Sequence, residues 1–192
     1  MTLATKITIL RIAMIPVFII VFYMQYAFPL FGYWNHIVAL IFMAASITDA
    51  LDGHYARKRR EISEAGKLLD PVADKLLIAA AIILLVELGK VPAWIAIILI
   101  GREFIISAYR LVAVTKGNVI AAKALGKAKT ITQIVAVIVL LVEDRPFPFL
   151  FVYDIGGYKL TLGSIILYLS VVLSIISLIE YMLINRHVLK KD

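Results

Sequence analysis

Four aspartates, Asp49, Asp52, Asp70 and Asp74, fall within one stretch, TDALDGHYARKRREISEAGKLLDPVADK, running from Thr48 to Lys75. The apolar runs IVALIFMAASIT before the first pair and LLIAAAIILLV after the second predict two helices joined by a short basic loop. On a helix, Asp49 and Asp52 lie about 60° apart around the axis and Asp70 and Asp74 about 40° apart, so each pair shares a face. If the chain turns back between Arg57 and Gly66, Asp49 and Asp74 each lie ~12 Å along their helices from that turn, and Asp52 and Asp70 ~7.5 and ~6 Å. The carboxylates then pair level by level. Acids that close stay ionised only with cations between them, and an oxygen-only cage suits hard divalent ions such as Mg²⁺ or Mn²⁺. Pro71 removes a backbone donor, so the second helix either begins there with Asp70 as N-cap or is kinked there.

Acids on the helices of a water-soluble protein usually form a solvated face. Here the flanking segments are almost wholly apolar. An aspartate at the centre of a bilayer costs ~2.5 to 3.5 kcal/mol, so four approach ~10 to 14, as much as the whole stability of a typical domain. A position near the membrane surface lowers that figure, but a metal or a water-filled cavity is needed to remove most of it.

The elements that must carry these acids follow from composition. Of the 192 residues 62% are hydrophobic, and the apolar runs are too many and too long for a soluble core. The expectation is one all-α, polytopic membrane domain over residues 1–192, with six transmembrane helices near 12–27, 37–56, 68–87, 92–114, 130–143 and 160–184. The fifth is short unless it starts near Leu125. Before the first, Thr5 to Arg11 is expected to form a short interfacial helix, with Ile7, Ile9 and Leu10 toward lipid. Lys6 and Arg11 precede an apolar run as in a signal peptide, but no small-residue cleavage site follows, so retention as the first span is expected. With no cysteine, thiolate and disulfide chemistry are excluded.

The net charge of +7 invites a nucleic-acid reading, yet the cations follow a membrane pattern. Lys6, Arg11, the run Arg57 to Arg60, Lys67, Lys116, Lys123, Lys127, Lys129, Arg186, Lys190 and Lys191 fall on one side of a six-span model; Lys90, Arg145 and Lys159 fall on the other. The positive-inside rule puts both termini and the aspartate loop in the cytosol, at an inner (cytoplasmic) membrane, with the basic side toward anionic headgroups and no nucleic-acid partner. The segment Gln25 to His36 and the stretch EDRPFPFLFVYDIGGYK read as outer turns, the second with turn signals at Gly156 and Gly157 and with Asp154 in a loop. Lipid-facing helices leave room for a homodimer without fixing its face.

Gly53, Ala56 and Gly66 clear space one turn from the acids, for a ligand or for close helix contact. The whole pattern, Asp49-x-x-Asp52-Gly53-x-x-Ala56-Arg57, eight residues, then Gly66-x-x-x-Asp70-x-x-x-Asp74, resembles the signature of the CDP-alcohol phosphatidyltransferase family. That resemblance implies transfer of a phosphatidyl group from a CDP-linked diacyl lipid to an alcohol, with CMP leaving. It implies two divalent cations held by Asp49, Asp52, Asp70 and Asp74, with Asp74 also the general base. It implies that Asp49, Gly53, Ala56, Arg57 and Gly66 lie along the CDP-lipid. A site of paired cations suits a pyrophosphate-linked substrate at membrane level.

Arg102 and Arg110, eight residues apart, share a face pointing to the same cytosolic side as the acids, and an acceptor bearing a phosphate needs such a cationic socket. Alternatively Arg102 pairs with Glu103, and Arg110 snorkels to the surface. The stretches TKITILRIAMIPVF, GREFIISAYRLVA and LGKAKTITQ are similar to the phosphatidylglycerophosphate synthase branch, whose acceptor is sn-glycerol 3-phosphate. This implies Arg102, Arg110 and Lys127 for the acceptor phosphate, with Lys123, Lys129 and Thr130 beside them. Thr5 departs from that branch, where asparagine is expected; it can still cap the helix that follows. Other acceptors, inositol phosphate or serine, are the first alternative. The second is a divalent-cation transporter, which would need polar residues continuing to the outer face, where Glu87 is the one strong candidate.

Overall fold

The computed structural model describes the backbone of residues 3–28, 34–59, 64–115, 124–142, 153–155 and 158–185, and the side chains at 12–25, 27–28, 34–48, 75–114, 124–142 and 160–185. In chain order these residues form α1 (Leu3–Ala27), α2 (Trp34–Arg59), α3 (Glu64–Glu87), α4 (Ala93–Thr115), α5 (Ala124–Val142), β1 (Tyr153–Ile155), β2 (Tyr158–Leu160) and α6 (Leu162–Ile184). Each predicted span coincides with a helix, and the fifth does start early, at Ala124. They form two compact units, Met1–Leu85 with Leu141–Pro148, and Val86–Leu140 with Phe149–Asp192.

Four local expectations are corrected. The segment from Thr5 to Arg11 is not a separate interfacial helix: α1 is continuous from Leu3 and carries Pro16 inside it, so Thr5 lies within the helix and does not cap it. An apolar solvent explains the continuity, because a break would strand several backbone groups where proline strands one. For the same reason α3 runs through Pro71 from Glu64, and Asp70 is interior to the helix and not its N-cap. The all-α expectation is amended by the antiparallel hairpin β1–β2, in which Asp154 pairs with Lys159 across the ladder and so is not a loop residue. Gly156 and Gly157, the expected turn, lie outside the described residues; a two-residue connection is what the register requires.

In the first unit α1 and α2 pack through residues at helical spacing. Phe18 and Phe22 on α1 and Val38, Ala39, Phe42 and Ala45 on α2 are buried, and the rings of Phe18 and Phe42 stand 5.8 Å apart. The Trp34 indole N–H donates to the Phe28 carbonyl (2.7 Å), tying the end of α1 to the start of α2. Further along α2, Ser46 and Thr48 donate to the carbonyls of Phe42 and Ala44, both at 2.8 Å, so their hydroxyls are satisfied by their own helix just ahead of Asp49.

The second unit is built on α4, α5 and α6. Trp94 stacks near Tyr168 at one end, Arg102 meets Ser177 midway, and Tyr109 meets Tyr181 at the other end. Residue numbers rise together, so α4 and α6 run parallel. On α5 they run the other way: Leu140 meets Lys90 and Lys129 meets Glu103, so α5 is antiparallel to α4. Two devices set the ends. Thr161 caps α6 in a capping box with Ser164. Before α4, Gly89 turns the chain at φ +70° and donates to the Val86 carbonyl at 2.9 Å, while the Lys90 ammonium donates to the Leu140 carbonyl (2.7 Å), one of the last-turn carbonyls of α5 that its own helix leaves open.

The second unit is apolar outside and carries polar groups among the apolar side chains of its interior. On α6 the buried face includes Gly163, Ser164, Ser170, Ser174 and Ser177, while Leu169, Val172, Ile176, Ile179 and Leu183 are exposed. On α4, Ile97 is 71% exposed whereas Arg102 is 7% exposed. Water would not favour that arrangement; a hydrocarbon solvent would, since small and hydroxyl-bearing side chains let helices approach and bond. By length and composition α5 and α6 are able to cross a membrane.

Two glycines give opposite expectations. A Cβ added at Gly89 or at Gly101 meets nothing within 4 Å, but Gly89 alone has a positive φ. Gly89→Ala is therefore expected to destabilise by about 1–2 kcal/mol, and Gly101→Ala, inside α4, to be neutral or to stabilise by about 0.5–1 kcal/mol. Thermal unfolding of the purified protein in detergent checks both signs.

Candidate active site

The four aspartates occupy the helices predicted for them, Asp49 and Asp52 on α2 and Asp70 and Asp74 on α3. Both helices extend further toward their connection than the turn between Arg57 and Gly66 required. Asp49 lies ten residues from the end of α2 at Arg59 and Asp74 ten residues from the start of α3 at Glu64, while Asp52 and Asp70 lie seven and six residues from those ends. At about 1.5 Å per residue the acids stand near 15, 15, 10.5 and 9 Å from those ends along their own helices. The side chains of Asp49, Asp52, Gly53, Ala56, Arg57, Gly66, Asp70 and Asp74 lie outside the described residues, as do Lys123 and the side chain of Thr5. Among the described residues no group of three or more His, Asp or Glu is placed to hold a metal, so the metal expectation rests on the aspartates. Their donor set, four carboxylates, fits a hard divalent cation.

Of the residues expected at the acceptor phosphate, Arg102 lies in a buried network across three helices of the second unit. Arg102 on α4 donates through Nη1 to Glu103 Oε1 (2.7 Å) and through Nη2 to Ser177 Oγ on α6 (2.8 Å). Lys129 on α5, 1% exposed, donates through Nζ to the same Glu103 oxygen at 2.6 Å. One carboxylate oxygen thus serves two cations. Burial explains the economy: a cation shut away from water needs an opposite charge or several acceptors, and Glu103 supplies the charge for both. Gly126 of α5 lies beside the same groups: a Cβ there would sit 3.9 Å from Arg102 Nη2 and 3.8 Å from Ser177 Oγ, in ordinary contact. Arg102 Nε remains a buried donor without a hydrogen-bond acceptor.

Arg102 and Arg110 do share a face of α4, since both meet α6: Arg102 at Ser177 and Arg110 over the Tyr181 ring, 5.8 Å from its centroid. Arg102 takes the ion pair with Glu103 that the sequence allowed as its alternative role, whereas Arg110 and Lys127 are exposed and available to a soluble anion. Lys129 is corrected: it belongs to the interior and not to the cytosolic surface charge, because its position on α5 turns it toward Glu103. The Thr130 hydroxyl donates to the Gly126 carbonyl at 3.1 Å.

Sequence reasoning passed over Ser177 and the double role of Glu103. Ser170, Ser174, Ser177 and Tyr181, spaced by four, three and four residues, were the available signal for a polar stripe on an otherwise apolar helix. One turn from the network on each neighbour, Gln133 Oε1 and Ser174 Oγ are buried without partners, extending the polar interior.

Comparison with known proteins shows the family. The family model for CDP-alcohol phosphatidyltransferase matches residues 1–176. The chain is 38% identical over 195 residues to the CDP-diacylglycerol–glycerol-3-phosphate 3-phosphatidyltransferase of Bacillus subtilis, covering 98% of this chain and 97% of that one. The protein of the same name from Haemophilus influenzae is 37% identical over 184 residues, covering 93% and 90%. A cardiolipin synthase (CMP-forming) from rice is 38% identical over 198 residues, covering 95% of this chain and 56% of that one. With a signature of eight residues at fixed spacing on α2 and α3, and likeness along nearly its whole length, the chain belongs to the CDP-alcohol phosphatidyltransferase family.

Proposed function

We propose that this protein transfers the phosphatidyl group of CDP-diacylglycerol to sn-glycerol 3-phosphate, releasing CMP. The observation that carries the reading is near full-length likeness to bacterial proteins named for that reaction, together with the aspartate pattern on two consecutive helices. A hydroxyl oxygen of glycerol 3-phosphate attacks the phosphatidyl phosphorus, the bond from that phosphorus to the CMP oxygen breaks, and the hydroxyl proton passes to Asp74. Asp49, Asp52, Asp70 and Asp74 would hold two divalent cations, Mg²⁺ or Mn²⁺. Bound there, such ions supply charge neutralisation at the phosphates. Asp49, Gly53, Ala56, Arg57 and Gly66 face the CDP end of the lipid. Arg110 and Lys127, with a remaining donor of Arg102, bind the acceptor phosphate.

All six helices span the cytoplasmic membrane in this reading, with both termini and the aspartates toward the cytosol; the antiparallel course of α5 and the parallel course of α4 and α6 support it. The outward apolar faces leave a homodimer open. The rice relative, named for a different product at similar identity, makes the acceptor the point to test.

Purified protein given CDP-diacylglycerol and one acceptor at a time (glycerol 3-phosphate, phosphatidylglycerol, inositol phosphate or serine) is expected to release CMP with glycerol 3-phosphate. A chelator should abolish release, and Mg²⁺ or Mn²⁺ should restore it. CMP release with another acceptor in its place overturns the substrate reading, and cation flux in vesicles without CMP release overturns the enzyme reading. Asp74→Asn should lower kcat by roughly 10²- to 10⁴-fold, the usual yield of general-base catalysis. Near-normal turnover with metal still bound would remove Asp74 from that role. Because the chain has no cysteine, single cysteines report topology: Lys116→Cys and Lys191→Cys should react with an impermeant thiol reagent only after cells are permeabilised, and Arg145→Cys and Lys159→Cys in intact spheroplasts.

A further inference from the structure

Glu103 has no part in the phosphatidyl transfer just described, yet it carries the densest set of charged contacts among the described residues. A single oxygen, Oε1, accepts from Arg102 Nη1 on its own helix at 2.7 Å and from Lys129 Nζ on α5 at 2.6 Å. The side chains of Arg102 and Lys129 are almost wholly buried, and that of Glu103 is about three-quarters buried. Two further groups lie there: Ser177 of α6 accepts from Arg102 Nη2, and Gly126 in the first turn of α5 stands beside the guanidinium, a Cβ at that position being 3.9 Å from Nη2. Lys127 lies between Gly126 and Lys129, so its backbone is bracketed by two contacts to this network, while its side chain stays exposed. Arg102 Nε is left as a buried donor with no acceptor.

We infer that Glu103 is a positioning residue for the phosphate-bearing acceptor, fixing the first turn of α5 and the plane of the Arg102 guanidinium so that Lys127 and Arg102 Nε are presented to the same anion. The inference rests on the substrate reading above. Guanidinium recognition of phosphate depends on plane and fork direction, and the carboxylate and Ser177 hold that plane from two sides.

Positioning and plain electrostatics predict opposite signs, which makes the idea testable. If Glu103 were only a negative charge near a phosphate site, Glu103→Gln would strengthen acceptor binding. As a positioning residue its loss should raise KM for glycerol 3-phosphate by roughly tenfold, with kcat and KM for CDP-diacylglycerol changed by less than about threefold. Lys129→Met leaves the Arg102–Glu103 pair balanced and so avoids stranding a buried cation; it should raise the same KM, and the double variant should be no worse than the more affected single one. The inference is overturned if KM for glycerol 3-phosphate is unchanged or falls in both variants. It is also overturned if both KM values and kcat decline together in step with a lowered Tm. Wild-type protein that releases no CMP with glycerol 3-phosphate sinks the substrate reading and this inference with it, whereas an active wild type with an indifferent Lys129→Met sinks this inference alone.

Discussion

A charge enclosed by apolar helices has to find its counter-charge within the protein, because the surrounding solvent offers none. That constraint shapes the second unit. Arg102 and Lys129 come from different helices and would each be costly alone, and Glu103 makes both tolerable by accepting from both with one oxygen. Ser177 adds the third helix to the same point. Lipid packs against the outside of these helices as well as another helix would, so association is driven by close packing and by such bonds. The crossing of α4, α5 and α6 is therefore specified where the polar groups meet, with Gly126 of α5 beside Arg102 and Ser177.

The remainder of that unit follows the same logic at lower cost. Hydroxyls also donate back onto their own helix, as those of Ser107, Thr130, Thr132 and Ser170 do. Tyr109 reaches past the end of α6 to the Asn185 carbonyl and packs edge-on against Tyr181. Arg110 covers the other side of that ring system from an exposed position. A gradient results along α4 and α6, from apolar contacts at Trp94 and Tyr168, through the buried ion network, to an aromatic and cationic end. The proposed reaction gives that end a use, since a soluble phosphorylated acceptor has to be met by cations that water can reach.

In the first unit the packing of α1 on α2 is aromatic and aliphatic. It anchors the helix that carries Asp49 and Asp52. Proline appears inside α1 and inside α3 without ending either helix, because the alternative in an apolar surround is a longer break with more stranded backbone groups.

Much of this protein was legible in its residues alone. Helical periodicity and the length of the apolar runs determined six helices in the right places, since both depend on local composition and a fixed rise per residue. The aspartate spacing likewise determined which acids share a helix face, and the full pattern determined the family. Local signals failed where the outcome depended on a competing solvent: Thr5 and Asp70 look like caps and Pro71 like a helix start, yet the helices continue past them. Pairing across helices was decided only by the tertiary structure. No spacing along the chain distinguishes a surface Lys129 from one turned inward to Glu103, and nothing local ties Arg102 to Ser177, 75 residues away. Those contacts arise because burial forces each charge to choose among whatever partners the fold brings within reach, and that choice is made in space and not along the sequence.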